Sequence, residues 1–229
     1  MIRKLEWDSL FFNLNVGELS INDYNDSLDY SDYDLLYVIS SDDFDLKLKG
    51  FKNSFSEQKI KFHKELKELQ QLSDNVFSYN ETDYEIQEVY ELAFESGKQS
   101  RFLLDKKFRP KKFKELYKLW IDNSISQKFA DDVLLYKSEG KPVGLLTYKT
   151  NEKNAFVGLI AVSYDHQGKG IGGIMLTHLE TVLYAKGIYN LTIPTQGQNE
   201  QACYFYNKIG YSISGKTYIK HYWKINDTI

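Results

Sequence analysis

The sequence predicts a mixed α/β fold in two unequal parts, and three observations carry that reading. Between residues 132 and 162, three apolar stretches of strand-like composition follow one another, separated by turn residues. Directly after them, the segment Val162-Ser163-Tyr164-Asp165-His166-Gln167-Gly168-Lys169-Gly170-Ile171-Gly172-Gly173 joins an apolar strand to a strongly helical run. A further strand, Asn190-Leu191-Thr192-Ile193-Pro194-Thr195-Gln196, then precedes a second helix opening at Asn199.

Taken in order, residues 76–79 read as a strand, and Thr82 or Asp83 is placed to cap a helix running to about Glu95. Pro110 suits a first helical position, where its missing N–H would be unpaired anyway, and Phe113, Leu116, Tyr117 and Trp120 recur at helical spacing behind it. The period then changes to that of strands over 132–138, 142–150 and 155–162, linked by Glu139-Gly140 and by residues 151–154. A helix from about Gly170 to Lys186 stops at Gly187, and strands after the Asn199 helix run through Trp223.

The residues before 76 are too many for a tail. Leu5-Glu6-Trp7-Asp8 and residues 35–39 and 59–62 read as short strands, with a helix over 64–72 bridging into the rest. The expected division is a small N-terminal α/β domain, 1–75, ahead of a larger domain, 76–229. Gly50-Phe51 leading to residues 59–64 also echoes Gly210-Tyr211 leading to residues 218–224. A truncated N-terminal copy of the C-terminal half would account for the echo, and it requires residues 50–64 to form paired strands.

Composition narrows the function classes. A chain of 229 residues, 42% hydrophobic and 27% charged, can bury one sizeable core or two small ones. It contains no run near the roughly 20 apolar residues that a membrane span requires, and its N-terminus lacks a signal-like apolar core, so a cytoplasmic protein without membrane insertion is expected. The net charge of −3 gives no basis for nucleic-acid binding. The single Cys203 can make no internal disulfide and reads as helix packing. Acidic residues recur from Asp23 to Asp45, but a calcium-loop reading fails because Leu28 stands where glycine is needed and Asp34 replaces the closing Glu. No metal is expected. Lys98, Arg101, Lys106, Lys107, Arg109, Lys111 and Lys112 form a basic run of the kind a phosphate-bearing ligand needs.

The glycine-rich segment carries the sharpest chemical signal. Gly168, Gly170 and Gly172 permit a tight bend and close approach of a ligand, and the helix behind them opens with N–H groups that have no intrahelical partner. With the helix dipole, this arrangement is an anion site suited to a pyrophosphate. Asn199 is followed at helical spacing by Ala202, Tyr206 and then Gly210-Tyr211.

Gln-x-x-Gly-x-Gly followed by Asn-x-x-Ala-x-x-x-Tyr-x-x-x-Gly-aromatic resembles the GNAT superfamily of acetyl-CoA-dependent N-acetyltransferases. The resemblance implies the GNAT fold, a mixed, splayed central sheet with flanking helices, with acetyl-CoA as cosubstrate. It implies that Gln167, Gly168, Lys169, Gly170, Ile171, Gly172 and Gly173 hold the CoA pyrophosphate, that the strand through Ile160, Ala161 and Val162 meets the pantetheine arm, that Asn199 contacts the cofactor, and that Tyr206 protonates the departing thiolate. Leu5 to Phe12, Ala93-Phe94, Ser100-Arg101-Phe102, Trp120 to Asn123 and Thr195-Gln196 further resemble bacterial acetyltransferases of dTDP-linked 4-amino-4,6-dideoxy sugars used in surface polysaccharide. The acidic, tyrosine-rich stretch after residue 22 departs from that pattern, which leaves the sugar open. On this reading the partner is a small nucleotide-sugar substrate, with Arg101, Trp7 and Gln196 as substrate-binding residues and Glu57 as general base. A homodimer is left open. So are an enzyme of the same superfamily acting on a protein N-terminus, a polyamine or an aminoglycoside, and a non-catalytic CoA-binding module.

Overall fold

A computed structural model describes residues 1–81 and 84–225. Ten strands form one continuous sheet: β1 (Arg3–Lys4), β2 (Val16–Ser20), β3 (Leu35–Ser40), β4 (Phe51–Glu65), β5 (Val76–Ser78), β6 (Asp132–Ser138), β7 (Lys141–Asn151), β8 (Asn154–Val162), β9 (Asn190–Gln196) and β10 (Ser212–Lys224). Their order across the sheet is β1-β2-β3-β10-β4-β9-β8-β7-β6-β5. The helices are α1 (Glu6–Phe12), α2 (Ile86–Ser96), α3 (Arg101–Leu104), α4 (Pro110–Ile125), α5 (Ile171–Ala185) and α6 (Glu200–Lys208).

Side-chain alternation along the central strands builds a layer on each face. Leu135, Leu145 and Leu159 pack under α2 and α4 with Val89, Leu92 and Ile121. Their neighbours Leu134 and Leu146 point the other way, onto Met175, Leu176 and Leu179 of α5. Pro110 occupies the start of α4 as its spacing predicts. Among the described residues no helix is long and apolar enough to cross a membrane.

The N-terminal segment is woven into this sheet. β4 lies between β9 and β10, pairing antiparallel with each, so residues 1–75 and 76–229 share strands of one sheet. The two echoing segments are each other's partners, with Tyr218 opposite Gln58 and Trp223 opposite Lys52. Outward from this central pair the neighbours repeat in kind: β9 and its parallel partner β8 on one side, β3 and its parallel partner β2 on the other. The difference is how far each parallel pair stays closed. β2 and β3 pair from Val16–Leu35 to Ser20–Ile39, whereas β8 and β9 pair from Asn154–Asn190 to Phe156–Thr192 and then separate. A bulge helps to open β8, because Gly158 and Leu159 lie between its Val157–Tyr148 and Ile160–Leu146 pairings, and the Leu159 N–H donates to Thr147 Oγ1 at 2.9 Å.

Four local expectations are corrected. Leu5 to Asp8 is the entry to α1 rather than a strand: Trp7 and Phe11, one turn apart, stack at 5.0 Å, and Phe12 packs on Phe102 and Phe108. Residues 64–72, rich in helix formers, are not a helix. β4 continues through Lys64 and Glu65 because both pair with β9, and the chain then straps over α5 through Gln70 N–H to Thr181 Oγ1 (3.2 Å) and Ser73 N–H to His178 Nδ1 (3.2 Å). The helix expected from Thr82 or Asp83 begins at Ile86, with Glu85 as N-cap, and the two proposed caps lie outside the described residues. The final strands are one strand, β10, with irregularities at Ile213/Gly215 and His221/Tyr222.

Candidate active site

The splay between β8 and β9 opens a cleft of about 680 Å³ against α6 and the start of α5. Beyond Val162 the chain makes a short 3-10 turn, Tyr164–His166, closed by Ser163 Oγ and His166 Nδ1 at 2.9 Å. It then turns through Gly168 (φ 77°) and Gly170 (φ 81°), two left-handed positions that favour glycine, and enters α5. Gly170 is the N-cap and offers no side chain, so the first-turn amides of α5 are uncapped. By contrast, Asn199 Oδ1 caps α6 by accepting from the Ala202 N–H at 3.2 Å. Gly172 lines the cleft without contributing to the bend. It lies inside the helix, and a Cβ there would come within 3.3 Å of the Phe205 ring.

Gly173 is the most telling position. A Cβ there would meet nothing within 4 Å, yet a glycine inside a helix costs roughly 0.5–1 kcal/mol relative to alanine. The space beside Gly173, at the uncapped terminus of α5, is open. Gly173→Ala is therefore expected to stabilise the free chain by about 0.5–1 kcal/mol in urea unfolding and to weaken CoA binding in titration calorimetry. Unchanged CoA affinity would place the anion elsewhere.

Of the residues expected here, 160–162, 167–168, 170–173 and Asn199 line this cleft. The Lys169 side chain is not among the lining groups. Gln167 braces the wall from behind, its Nε2 donating to the Val162 carbonyl (3.0 Å) and to Glu95 Oε1 (3.3 Å). The three consecutive aromatics of α6 diverge: Tyr204 is exposed, Phe205 packs on Gly172, and Tyr206 turns inward, 3% exposed, against Phe62 and Tyr211. Burial raises the Tyr206 phenol above its usual pKa, so it is protonated at neutral pH.

A second cleft, about 750 Å³, approaches from the other side, and the two share Ser96, Ile160, Asn199, Ala202 and Tyr206. Trp7, Glu57, Arg101 and Gln196 all line this second cleft. Their convergence follows from the register: Lys59 opposes Gln196, Ile219 opposes Glu57, and Glu57 and Lys59 share a face of β4. Glu57 is 7% exposed and its Oε2 has no partner among the described residues. Burial raises its pKa against the pull of the Arg101 and Lys59 charges. The Arg101 guanidinium lies 4.4 Å above the Tyr37 ring and 4.9 Å from the Phe102 ring. Trp7, 44% exposed and stacked on Phe11, stands at the rim.

Among the lining residues that were not anticipated are Asp8, whose pKa burial also raises, Lys59 and Trp120. Alternation along 51–65 would have placed Lys59 beside Glu57, had the strand been read at its full length. Of the basic run, Arg101 faces this cleft and Lys98 the first, where Lys98 is paired with Glu95 at 2.6 Å. Lys112 covers the Phe11 ring, and Lys106, Lys107, Arg109 and Lys111 face solvent. Cys203, half-buried with Sγ 3.7 Å from the Gln196 carbonyl, packs α6 against the end of β9. No grouping of His, Cys, Asp or Glu suited to a metal ion occurs among the described residues.

Comparison with known proteins fits this geometry. The sequence is similar to the spore coat polysaccharide biosynthesis protein SpsD of Bacillus subtilis (strain 168), 24% identical over 135 residues, which are 59% of this chain and 46% of that protein. The match thus spans less than half of the curated relative. Among solved structures, an acetyltransferase from the GNAT family of Colwellia psychrerythraea superposes with a TM-score of 0.52 at 15% identity, covering 96% of this chain and 73% of that one. A GCN5-related N-acetyltransferase from Sphaerobacter thermophilus gives 0.54 at 11% identity, covering 85% and 61%. These likenesses establish the fold. The sequence model of the Acetyltransferase (GNAT) family matches residues 84–211, from just before α2 to the end of the α6 motif. With more than half of its length matched, and the splayed strands and uncapped helix inside the match, the chain belongs to the Acetyltransferase (GNAT) family.

Proposed function

We propose that the chain is an acetyl-CoA-dependent N-acetyltransferase acting on the amino group of a dTDP-linked 4-amino-4,6-dideoxy sugar in surface polysaccharide biosynthesis. The observation that carries the reading is the meeting of two clefts at Tyr206, one ending on an uncapped helix terminus and the other on Arg101 and an unpartnered buried carboxylate. The first cleft fits CoA: glycines 168 and 170 bend the loop, the uncapped α5 amides suit an anion, and the Gly173 space stays empty of side chains. Acetyl-CoA supplies a thioester carbonyl for an amine to attack.

The residues then divide the remaining work. Tyr206, protonated at the junction, gives its proton to the leaving sulfur, and Glu57 takes one from the incoming ammonium. The two clefts hold amine and thioester together, a contribution worth up to about 7–11 kcal/mol of barrier in favourable geometries. Arg101 makes no ion pair among the described residues, so its fork of N–H donors is free for the substrate diphosphate. Trp7 offers a flat face at the rim for the base or sugar. The likeness to a protein named for spore coat polysaccharide biosynthesis supports a polysaccharide sugar.

The test is CoA thiol release with a panel of amines containing dTDP-4-amino-4,6-dideoxygalactose, its glucose epimer, a polyamine, an aminoglycoside and a peptide N-terminus. Turnover of one nucleotide sugar, inhibited by dTDP, is expected. Turnover confined to another amine would retain the enzyme class and replace the substrate.

A further inference from the structure

Arg101 sits on an element too short to hold itself. α3 is a single turn of four residues, and a helix of that length has no stability of its own. What fixes it is Asp105, its C-cap, whose N–H donates to the Arg101 carbonyl at 3.0 Å. The Asp105 carboxylate is 2% exposed and accepts from His221 Nδ1 (2.7 Å), Trp223 Nε1 (2.9 Å), Ser54 Oγ (3.2 Å) and the Lys107 N–H (3.1 Å). Donors from β4 and β10 thus pin the end of α3 to the sheet.

The same group reaches the Arg101 side chain by a second route. His221 is fully buried, and burial drives its pKa down to about 4, so at neutral pH it is an uncharged ring with its Nδ1 proton directed at Asp105. That ring lies 4.7 Å from Tyr37, its cross-strand partner on β3. The other face of the chain of contacts is the Arg101 guanidinium, 4.4 Å above the Tyr37 ring. Asp105, His221, Tyr37 and Arg101 therefore close a circuit, from carboxylate to imidazole to phenol ring to guanidinium and back through one helical turn. Asp105, His221 and Tyr37 do not line the substrate cleft.

We propose that Tyr37, His221 and Asp105 form a buried positioning unit that holds the Arg101 guanidinium toward the acceptor, setting acceptor affinity without touching the acceptor. The inference rests on the proposed function in taking the acceptor as anionic. An unrestrained arginine must give up much of its rotamer freedom on binding, whereas one already seated on a ring gives up less. A buried charged carboxylate is also costly to maintain, and an apolar core at this place would be cheaper. The unit is retained, on this reading, for the geometry it imposes on Arg101.

Tyr37→Leu removes the ring and keeps an apolar side chain, while Tyr37→Phe keeps the ring and loses the hydroxyl. Tyr37→Leu is expected to raise the acceptor KM and the dTDP Kd about tenfold, with kcat and acetyl-CoA affinity near wild type, and Tyr37→Phe to restore both to wild-type values. A readout independent of the acceptor is the rate at which phenylglyoxal modifies Arg101, followed by mass spectrometry. Modification should be faster in Tyr37→Leu than in wild type or Tyr37→Phe. If Tyr37→Leu does not fold, His221→Asn is read in the same way. Wild-type KM and wild-type Arg101 reactivity in the folded variant would overturn the proposal. If the wild-type enzyme neither turns over nucleotide sugars nor binds dTDP, yet Arg101 reactivity separates the variants, the substrate reading fails and the positioning unit stands.

Discussion

Tyr206→Phe is expected to lower kcat by about 10²- to 10⁴-fold in thiol-release assays, with acetyl-CoA affinity and the melting temperature near wild type. The direction follows from where the hydroxyl stands. Tyr206 lines both clefts, at the point where an amine from one side and a thioester from the other must meet. Its ring is held by Phe62 at 5.3 Å, Phe205 at 5.3 Å and Tyr211 at 6.1 Å, contacts that phenylalanine reproduces. The substitution removes a proton donor and leaves the packing intact. Burial raises the phenol above its usual value, and a thiolate leaving group has a reference pKa of about 8.5. The proton is therefore present at working pH, and in the proposed role it passes to the sulfur as negative charge develops there. A variant with wild-type kcat would show that the proton arrives from solvent.

How much of this was legible in the sequence depends on how locally each feature is determined. The 160–173 loop was readable because its physics is local: left-handed positions at Gly168 and Gly170 and an uncapped helix start lie within a few residues of each other. The α6 spacing was readable for the same reason, since helical periodicity alone turns Tyr206 inward while Tyr204 stays exposed. What failed was tertiary. Lys64, Glu65 and Leu66 are good helix formers, yet β9 claims Lys64 and Glu65, and Leu66 donates to the Tyr189 carbonyl at 2.8 Å. Leu5 to Asp8 alternate as a strand would, yet Trp7 and Phe11 need one helical turn to stack. The insertion of β4 between β9 and β10 has no local signature. It is what carries Glu57 to the second cleft, and the Asp105–His221 pair, 116 residues apart, is invisible for the same reason.

Glu57→Gln is expected to lower kcat/KM for the amine by about 10²- to 10⁴-fold and to remove the acidic limb of its pH profile. Burial raises the Glu57 pKa, and the opposing charges of Arg101 and Lys59 do not cancel that effect. Only the carboxylate form can accept a proton, so activity rises as pH climbs through a pKa above the ordinary glutamate value of about 4.3. The limb due to the substrate ammonium is common to both proteins and stays. Stability runs in the opposite direction. Between the unfolded and the raised folded pKa the folded chain binds more protons, so stability falls as pH rises through that window, and the ionised Glu57 costs stability at neutral pH. Glutamine carries no such charge. Its melting temperature at pH 7 should therefore equal or exceed wild type while its activity collapses, the pattern of a group kept for chemistry at the expense of stability. Loss of stability with activity retained would make Glu57 a structural residue. Loss of activity with the acidic limb intact would transfer the base to Asp8, the other carboxylate in the cleft whose pKa burial raises.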